Sequence, residues 1–265
     1  MFTLIDNTHA RIGKFNFPSK EHKTPCFFMT SNFGGGAADI YRIVTYTDLL
    51  ESSQIPVLHN YYYLTVGGTF KVKWTSLLPK FKNINHFLLF IRDQFVKLGY
   101  CIGKYSNKKL NWDPVTLLDS GSGNFLRDEI KSSSDINIIL KSFDSKISVF
   151  ADFCIQHEIN IMMSMDFAGK YTHKQGEKDN HNYNILFKGL SSDIKNNLEL
   201  LEKTLNILKS KTYDFLAYAP IHGNSPKDYA QFVENVLKLE SHSQKKFDGF
   251  AIGGIANYRE KDNKI

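Results

Sequence analysis

Short apolar runs alternate with amphipathic segments along this chain. The runs are nearly continuous in hydrophobic residues, which is the pattern of strands buried on both faces of a parallel sheet. The pattern predicts six strands, at Pro25–Met29, Pro56–Leu58, Val115–Leu118, Ile159–Met165, Phe215–Ala219 and Phe247–Ile252.

Helices are predicted between these strands. Two sets of apolar residues recur every three or four positions, which places each set on one face of a helix. They are Phe87, Ile91, Phe95 and Leu98, and Leu198, Leu201, Leu205 and Leu208. A third helix is predicted after Ser225, because proline and an acidic residue follow this potential N-cap. Strand–helix alternation favours a (β/α) barrel or an open doubly wound sheet.

Composition limits the class of protein. The chain has 265 residues, of which 42% are hydrophobic and 23% charged, and these values exclude a disordered chain. Its length suits one α/β domain spanning residues 1–265. No apolar run approaches the roughly 18 residues that cross a bilayer, the N-terminus lacks an apolar signal segment, and the three cysteines are isolated. We therefore expect a soluble cytoplasmic protein with reduced thiols and no membrane partner.

The charge balance bears on partners. Lys and Arg total 33 against 27 Asp and Glu, a net charge of +6. This mild excess permits a polyanionic partner such as tRNA or DNA, since basic residues gain affinity by releasing counterions. A lysine-rich solvated surface gives the same balance, so charge alone leaves nucleic-acid binding open.

Polar and glycine residues follow four of the predicted strands. They are Asp119 and Ser120, Asp166, His222 and Gly223, and Gly253 and Gly254. In α/β barrels the active site lies at the carboxyl ends of the strands. These residues are therefore candidates for a site rather than for the core.

Each candidate also has a simpler interpretation. Asp119 and Asp166 could converge, one as a general acid/base and the other accepting hydrogen bonds from a purine-like ring. Each could instead cap a helix or form an Asx-turn. His222 could donate to a base carbonyl or be an ordinary loop histidine. No metal site is predicted, because the spacing in the segment from His173 to His181 fits no standard site.

Several segments, in order along the chain, resemble the tRNA-guanine transglycosylase family. The opening FTLIDNTHARIGKFNF and TPCFFMTS are similar to the family's N-terminal hairpin and its "TPVFMPV" strand. LLDSGSGNF resembles "DSGGFQ", and IMMSMDFAG stands where the family has a strand ending in an aspartate that reads the base. LAYAPIHGN resembles "GIVQGG", with His222 in place of glutamine, and FDGFAIGGIA resembles "AIGGLAVGE".

The resemblance implies a TIM barrel with an N-terminal β-hairpin. It also implies an enzyme that exchanges guanine in a polynucleotide for a 7-deazaguanine base through a covalent intermediate. Asp119 would then be the catalytic general acid/base, and Asp166 would hydrogen-bond the base. The residues that would line the pocket are Ser120, His222, Gly223, Gly253 and Gly254.

The sequence departs from the family at its C-terminal end. In the family the nucleophilic aspartate and a cysteine-rich zinc site follow the "AIGGLAVGE" segment. This chain ends eleven residues after Gly254 and contains no CxCxxC motif. We therefore expect no zinc or other cofactor, and a barrel that is incomplete at the C-terminus. Three explanations fit this pattern. The chain is a truncated product, or a second polypeptide or another copy of the chain completes the barrel, or the fold closes differently.

Four functions remain open at this stage. The first is base exchange in tRNA, and the second is the same exchange in DNA, which the departures at His222 and in the DSGSGN loop suggest. The third is a non-catalytic subunit or remnant that keeps the base pocket. The fourth is an unrelated barrel hydrolase or lyase that uses Asp119 and Asp166 on a small molecule.

Overall fold

The computed structural model describes residues 2–6, 12–17, 20–24, 26, 28–31, 55–66, 77–97, 113–167, 194–223 and 225–253. The chain divides into two compact units. The first contains residues 1–120, 152–162 and 213–216, and the second contains residues 121–151, 163–212 and 217–265.

A small antiparallel sheet lies at the N-terminal end of the first unit. Its strands are β1 (Phe2–Asp6), β2 (Ile12–Asn16) and β3 (Glu21–Thr24), paired in that order. The antiparallel pairing of β1 with β2 agrees with the expected N-terminal hairpin. The third strand was not predicted, because its sequence Glu-His-Lys-Thr carries no apolar run.

The larger sheet has six strands in the order of the chain. They are β4 (Met29–Ser31), β5 (Val57–Asn60), β6 (Thr116–Asp119), β7 (Ile161–Met163), β8 (Leu216–Ile221) and β9 (Gly249–Ile252). Strand β4 pairs in parallel with β5, β5 with β6, β6 with β7 and β8 with β9. All six predicted strands are confirmed, although β4 overlaps its predicted range only at Met29. The order contains no reversal, whereas a doubly wound sheet reverses at its switch point.

Six helices accompany these strands in the described part of the chain. They are α1 (Tyr61–Val66), α2 (Ile84–Lys97), α3 (Ser122–Ser132), α4 (Ile136–Gln156), α5 (Ile194–Lys209) and α6 (Pro226–Ser243). Helices α2, α5 and α6 confirm the sequence predictions, and Ser225 caps α6 by accepting the N–H of Asp228 at 3.3 Å. No helix among the described residues is both long and apolar enough to cross a bilayer.

Aromatic and aliphatic side chains fill the core of each unit. In the first unit the strand residues Val57 and Leu118 are fully buried, together with Phe87 of α2. In the second unit the buried rings of Phe143 and Phe167 meet edge to face, with centroids 4.9 Å apart. Two contacts of Phe167 hold the loop that follows β7. Its ring is buried, and its backbone N–H donates to the side chain of Asn197 at 2.7 Å.

Candidate functional site

Three of the predicted site residues belong to the second unit and come after the carboxyl ends of strands. Asp166 follows β7 by three residues, while His222 and Gly253 directly follow β8 and β9. The Gly253 N–H donates to the Ile221 carbonyl at 2.9 Å, which extends the pairing of β8 with β9 to this edge. The loops after the strands therefore bring together residues that are distant in sequence.

The carboxylate of Asp166 is held by side chains at both oxygens. His222 Nε2 lies 2.5 Å from Asp166 Oδ2 and donates to it, since an ionised carboxylate only accepts. The Ser122 hydroxyl donates to Oδ1 at 2.6 Å, and the Asp166 backbone N–H returns a bond to that hydroxyl at 3.3 Å. We call Ser122, Asp166, His222 and Gly253 the Asp166 cluster.

The pair of Asp166 and His222 favours a charged imidazole. Burial opposes a charge on His222, but the hydrogen bond and the negative charge of Asp166 outweigh it, so that the pKa of His222 is raised above 6.5. The side chains are 12% exposed for His222 and 16% for Asp166. The Asp166 side chain is therefore partly accessible, and two of the roughly four lone-pair positions of its carboxylate are engaged by the described side chains.

The order of the three polar groups differs from that of a hydrolase triad. In a Ser-His-Asp triad the histidine lies between the other two and removes the serine proton. Here Asp166 lies between Ser122 and His222, and the Ser122 hydroxyl donates a hydrogen bond to the carboxylate. The cluster therefore presents a fixed carboxylate and does not activate Ser122 as a nucleophile.

The ring of His222 is packed closely against Gly253. A Cβ atom at position 253 would lie 2.5 Å from His222 Nδ1 and would overlap the neighbouring Cε1, so only glycine fits there. The Phe232 ring contacts the imidazole edge to face, at 6.3 Å between centroids, and Tyr229 donates its hydroxyl to the Gly253 carbonyl at 2.7 Å. His222 Nδ1 is buried and has no hydrogen-bond partner among the described residues.

Gly223 has a packing role at the start of α6. A Cβ atom there would lie 2.8 Å from Asp228 Cβ and 2.9 Å from the Tyr229 nitrogen. The first turn of α6 thus approaches the backbone just after His222. This contact explains the glycine without a ligand, and the predicted role of Gly223 in the pocket stays a prediction.

Asp119 and Ser120 belong to the first unit. Asp119 stands opposite Asn60 in the parallel register of β5 and β6, and the Asn60 amide donates to Asp119 Oδ2 at 2.7 Å. Ser120 is fully buried. Because Asp119 and Asp166 lie in different units, the predicted convergence of the two carboxylates stays a prediction.

The remaining sequence candidates lie outside the described residues. These are Gly254 and the charged segment from His173 to His181. Where the structure describes the chain, no group of three or more His, Cys, Asp and Glu side chains could hold a metal ion.

Sequence reasoning missed the roles of Ser122 and Asn60. No pattern in the sequence distinguishes the Ser122 hydroxyl, although a hydroxyl beside a turn glycine can bind a side chain. Gly121 adopts the left-handed conformation, with a φ of 66°, and this turn starts α3 at Ser122. Asn60 ends β5, and its neighbour Asp119 in the sheet is the signal that could have identified it.

Comparison with known proteins does not supply a family for this arrangement: no protein-family model matches the chain, and no curated protein is significantly similar to it.

Proposed function

We propose that the Asp166 cluster binds the hydrogen-bond donors of a guanine-like base, and that the chain is a tRNA-guanine transglycosylase-like protein. The observation that carries this proposal is that the two oxygens of Asp166 are each engaged by one side chain, while the Asp166 side chain stays partly exposed. A carboxylate fixed in this way can accept further hydrogen bonds without first losing rotational freedom.

The chemistry of guanine complements this group. Guanine and 7-deazaguanine carry an N1–H and a 2-amino group side by side, and two adjacent donors suit the two oxygens of a carboxylate. Rejection of other bases follows, because a base without these donors leaves part of the carboxylate unpaired at a cost of roughly 1–3 kcal/mol.

The proposed reaction replaces guanine in a polynucleotide by a 7-deazaguanine base. In the reaction that the resemblance implies, a carboxylate attacks the ribose C1′ as the bond to guanine breaks, and guanine leaves with a proton on its ring nitrogen. The incoming 7-deazaguanine gives up its ring N–H proton and displaces that carboxylate. No described residue of this chain is assigned as the nucleophile, so the proposal gives the chain the base pocket and the group that carries the proton. Asp119 would carry the proton, as the resemblance implies, and its hydrogen bond from Asn60 fixes the orientation of its carboxylate.

The order of the parallel strands supports the barrel that this proposal includes. Consecutive strands β4 to β9 lie side by side in chain order, as successive strands of a (β/α) barrel do. In that fold catalytic residues occupy the ends of several strands, and Asp166 and His222 of the second unit follow β7 and β8.

Calorimetric titration with 7-deazaguanine tests the base site. Replacing Asp166 by alanine removes the acceptor, so we expect affinity to fall by about 5- to 150-fold, equivalent to roughly 1–3 kcal/mol. Asp214→Ala, which removes an exposed carboxylate, is the matched control and should bind as the wild type does. Hypoxanthine lacks the 2-amino group, so its affinity should fall less than that of 7-deazaguanine on the same substitution. Equal affinity of wild type and Asp166→Ala would contradict the proposal.

Incorporation of radiolabelled guanine then tests the reaction. Label entering tRNA or duplex DNA, and lost in Asp119→Asn, would support base exchange and identify the polynucleotide. Base binding without incorporation into either would contradict the enzymatic part of the proposal and indicate a non-catalytic subunit.

A further inference from the structure

Neither ring nitrogen of His222 is in a position to contact a base. Nε2 is committed to Asp166 at 2.5 Å, and Nδ1 is buried against Gly253. A role in which His222 donates to a base carbonyl would require the Asp166 bond to break or the ring to turn. The close contact with Gly253 and the Phe232 ring oppose such a turn.

We propose that His222 is a positioning residue that acts on the base through Asp166, and that base binding is thereby linked to the protonation of His222. This inference rests on the proposed function, since it assumes that Asp166 binds the base. It assigns His222 a role distinct from contact with the ligand.

Two donors from different parts of the chain fix the carboxylate. Ser122, at the start of α3, holds Oδ1, and His222, at the end of β8, holds Oδ2. Loss of either donor frees the Asp166 side chain to rotate. Loss of His222 removes in addition the positive charge that faces the carboxylate.

The linkage follows from competition for one carboxylate. Each N–H donor that a base adds makes Asp166 a weaker acceptor for the imidazolium, so base binding lowers the pKa of His222. By reciprocity the base binds more tightly when His222 is neutral, and its affinity rises as pH rises. We expect a rise of about fivefold, at the lower end of ordinary coupling between two sites.

Few ionisable groups other than Asp166 lie near His222. Of the described side chains that contact its ring, Asp166 is acidic and Phe232 is apolar. On α6 the nearest titratable groups are Asp228, packed on Gly223, and Tyr229, whose hydroxyl donates to Gly253. Ser122 contributes a hydroxyl from α3, so Asp166 is the acid that faces His222.

The experiment combines calorimetry with NMR of the whole chain. Affinity for 7-deazaguanine is measured at about pH 6 and about pH 8, on either side of the usual histidine range. The affinity of the wild type for 7-deazaguanine should rise about fivefold from the lower pH to the higher one. His222→Gln keeps an N–H donor for Asp166 but cannot titrate, so it should bind comparably at both. His222→Leu should bind more weakly, and the exposed control His242→Gln should behave as the wild type does.

Two outcomes would overturn the inference while leaving the base site intact. One is a pH dependence in His222→Gln equal to that of the wild type, and the other is unchanged affinity in His222→Leu. If the wild type binds no base, the proposed function fails, and NMR of the ligand-free protein still tests the positioning role. The pKa of His222 should then fall in Asp166→Asn, and an unchanged pKa would overturn that role.

Discussion

Two polar clusters of this protein are built from similar groups but are completed to different degrees. In the first unit a hydrogen-bonded network lies at the start of β6, and we call it the amino-end network. Its members are Lys20, Asn83, Asn85, Asp113 and Thr116. In the second unit the Asp166 cluster lies at the carboxyl ends of strands. Each contains one carboxylate and one basic side chain in contact with it.

In the amino-end network several donors share one carboxylate oxygen. Asp113 Oδ1 accepts from Lys20 at 2.6 Å and from the amides of Asn85 and Asn83 at 3.0 and 3.1 Å. Asn85 also donates to the Pro114 carbonyl and accepts from the Thr116 hydroxyl. Burial raises the pKa of Asp113, but the bonds from Lys20 and the amides outweigh it, and the net pKa is lowered.

The Asp166 cluster is less complete. Asp166 accepts one side-chain bond at each oxygen, and His222 Nδ1 has no partner among the described residues. Asp166 follows a strand of the parallel sheet, and ligands of α/β proteins commonly bind at the carboxyl ends of such strands. The comparison teaches that a carboxylate bound by a lysine and two buried amides mainly stabilises the fold, whereas Asp166, with one side-chain donor at each oxygen, keeps lone pairs for a ligand.

The largest expected effect is on stability at the amino-end network. Asp113→Ala removes an acceptor from Lys20 and from the buried amides of Asn83 and Asn85, although Lys20 and Asn85 each keep a bond to the Pro114 carbonyl. We expect the free energy of unfolding to fall by about 2–3 kcal/mol. Denaturant unfolding measures this loss, while affinity of the folded variant for 7-deazaguanine should not change. The exposed pair of Lys14 and Glu21, with atoms 2.8 Å apart, is the control, and Lys14→Met should cost less than about 0.5 kcal/mol.

The same variant has a defined pH dependence. Because the folded pKa of Asp113 is lowered, its contribution is complete above the unfolded value near 3.8 and is lost as pH falls through the folded pKa. The deficit of Asp113→Ala should therefore shrink in acid. A deficit that persists unchanged in acid would show that the charge of Asp113 is not what stabilises the network.

A smaller loss is expected from filling the space beside His222. Gly253→Ala forces the imidazole away from its position, which should cost about 1–3 kcal/mol and weaken base binding. Gly249→Ala is the control, since its added Cβ meets the Tyr218 ring at 3.1 Å and demands a smaller shift. In the double variant with His222→Ala the Gly253→Ala penalty should largely disappear, because the clashing ring is gone. Additive losses would argue against this contact.

The smallest effect is the pH dependence of stability at His222. The pKa of His222 is raised in the folded protein, so its stabilising contribution is complete below the unfolded value of 6.5 and is lost as pH rises through the folded pKa. The difference in unfolding free energy between wild type and His222→Gln should thus be larger at about pH 5.5 than at about pH 9. Equal differences at both would mean that the imidazole charge is not held by Asp166.

The sequence predicted the strands well because each is an apolar run with turn residues at its end. It predicted α6 from the cap at Ser225, but it missed α4, where Ile138 and Val149 are 57% and 55% exposed and blur the helical period. Asp166 and His222 were selected by their position after strands. Their pairing could not be predicted, because 56 residues separate them and only the fold sets which donor reaches which oxygen.

The most direct test of the central claim compares two histidines in one NMR spectrum. His222 lies in the Asp166 cluster, whereas His157 lies in the first unit with Nδ1 2.9 Å from the Phe81 carbonyl. On addition of 7-deazaguanine to the histidine-labelled protein, the imidazole signals of His222 should shift while those of His157 stay in place. Saturating base that leaves the His222 signals unmoved would contradict the assignment of Asp166 as the base-binding group.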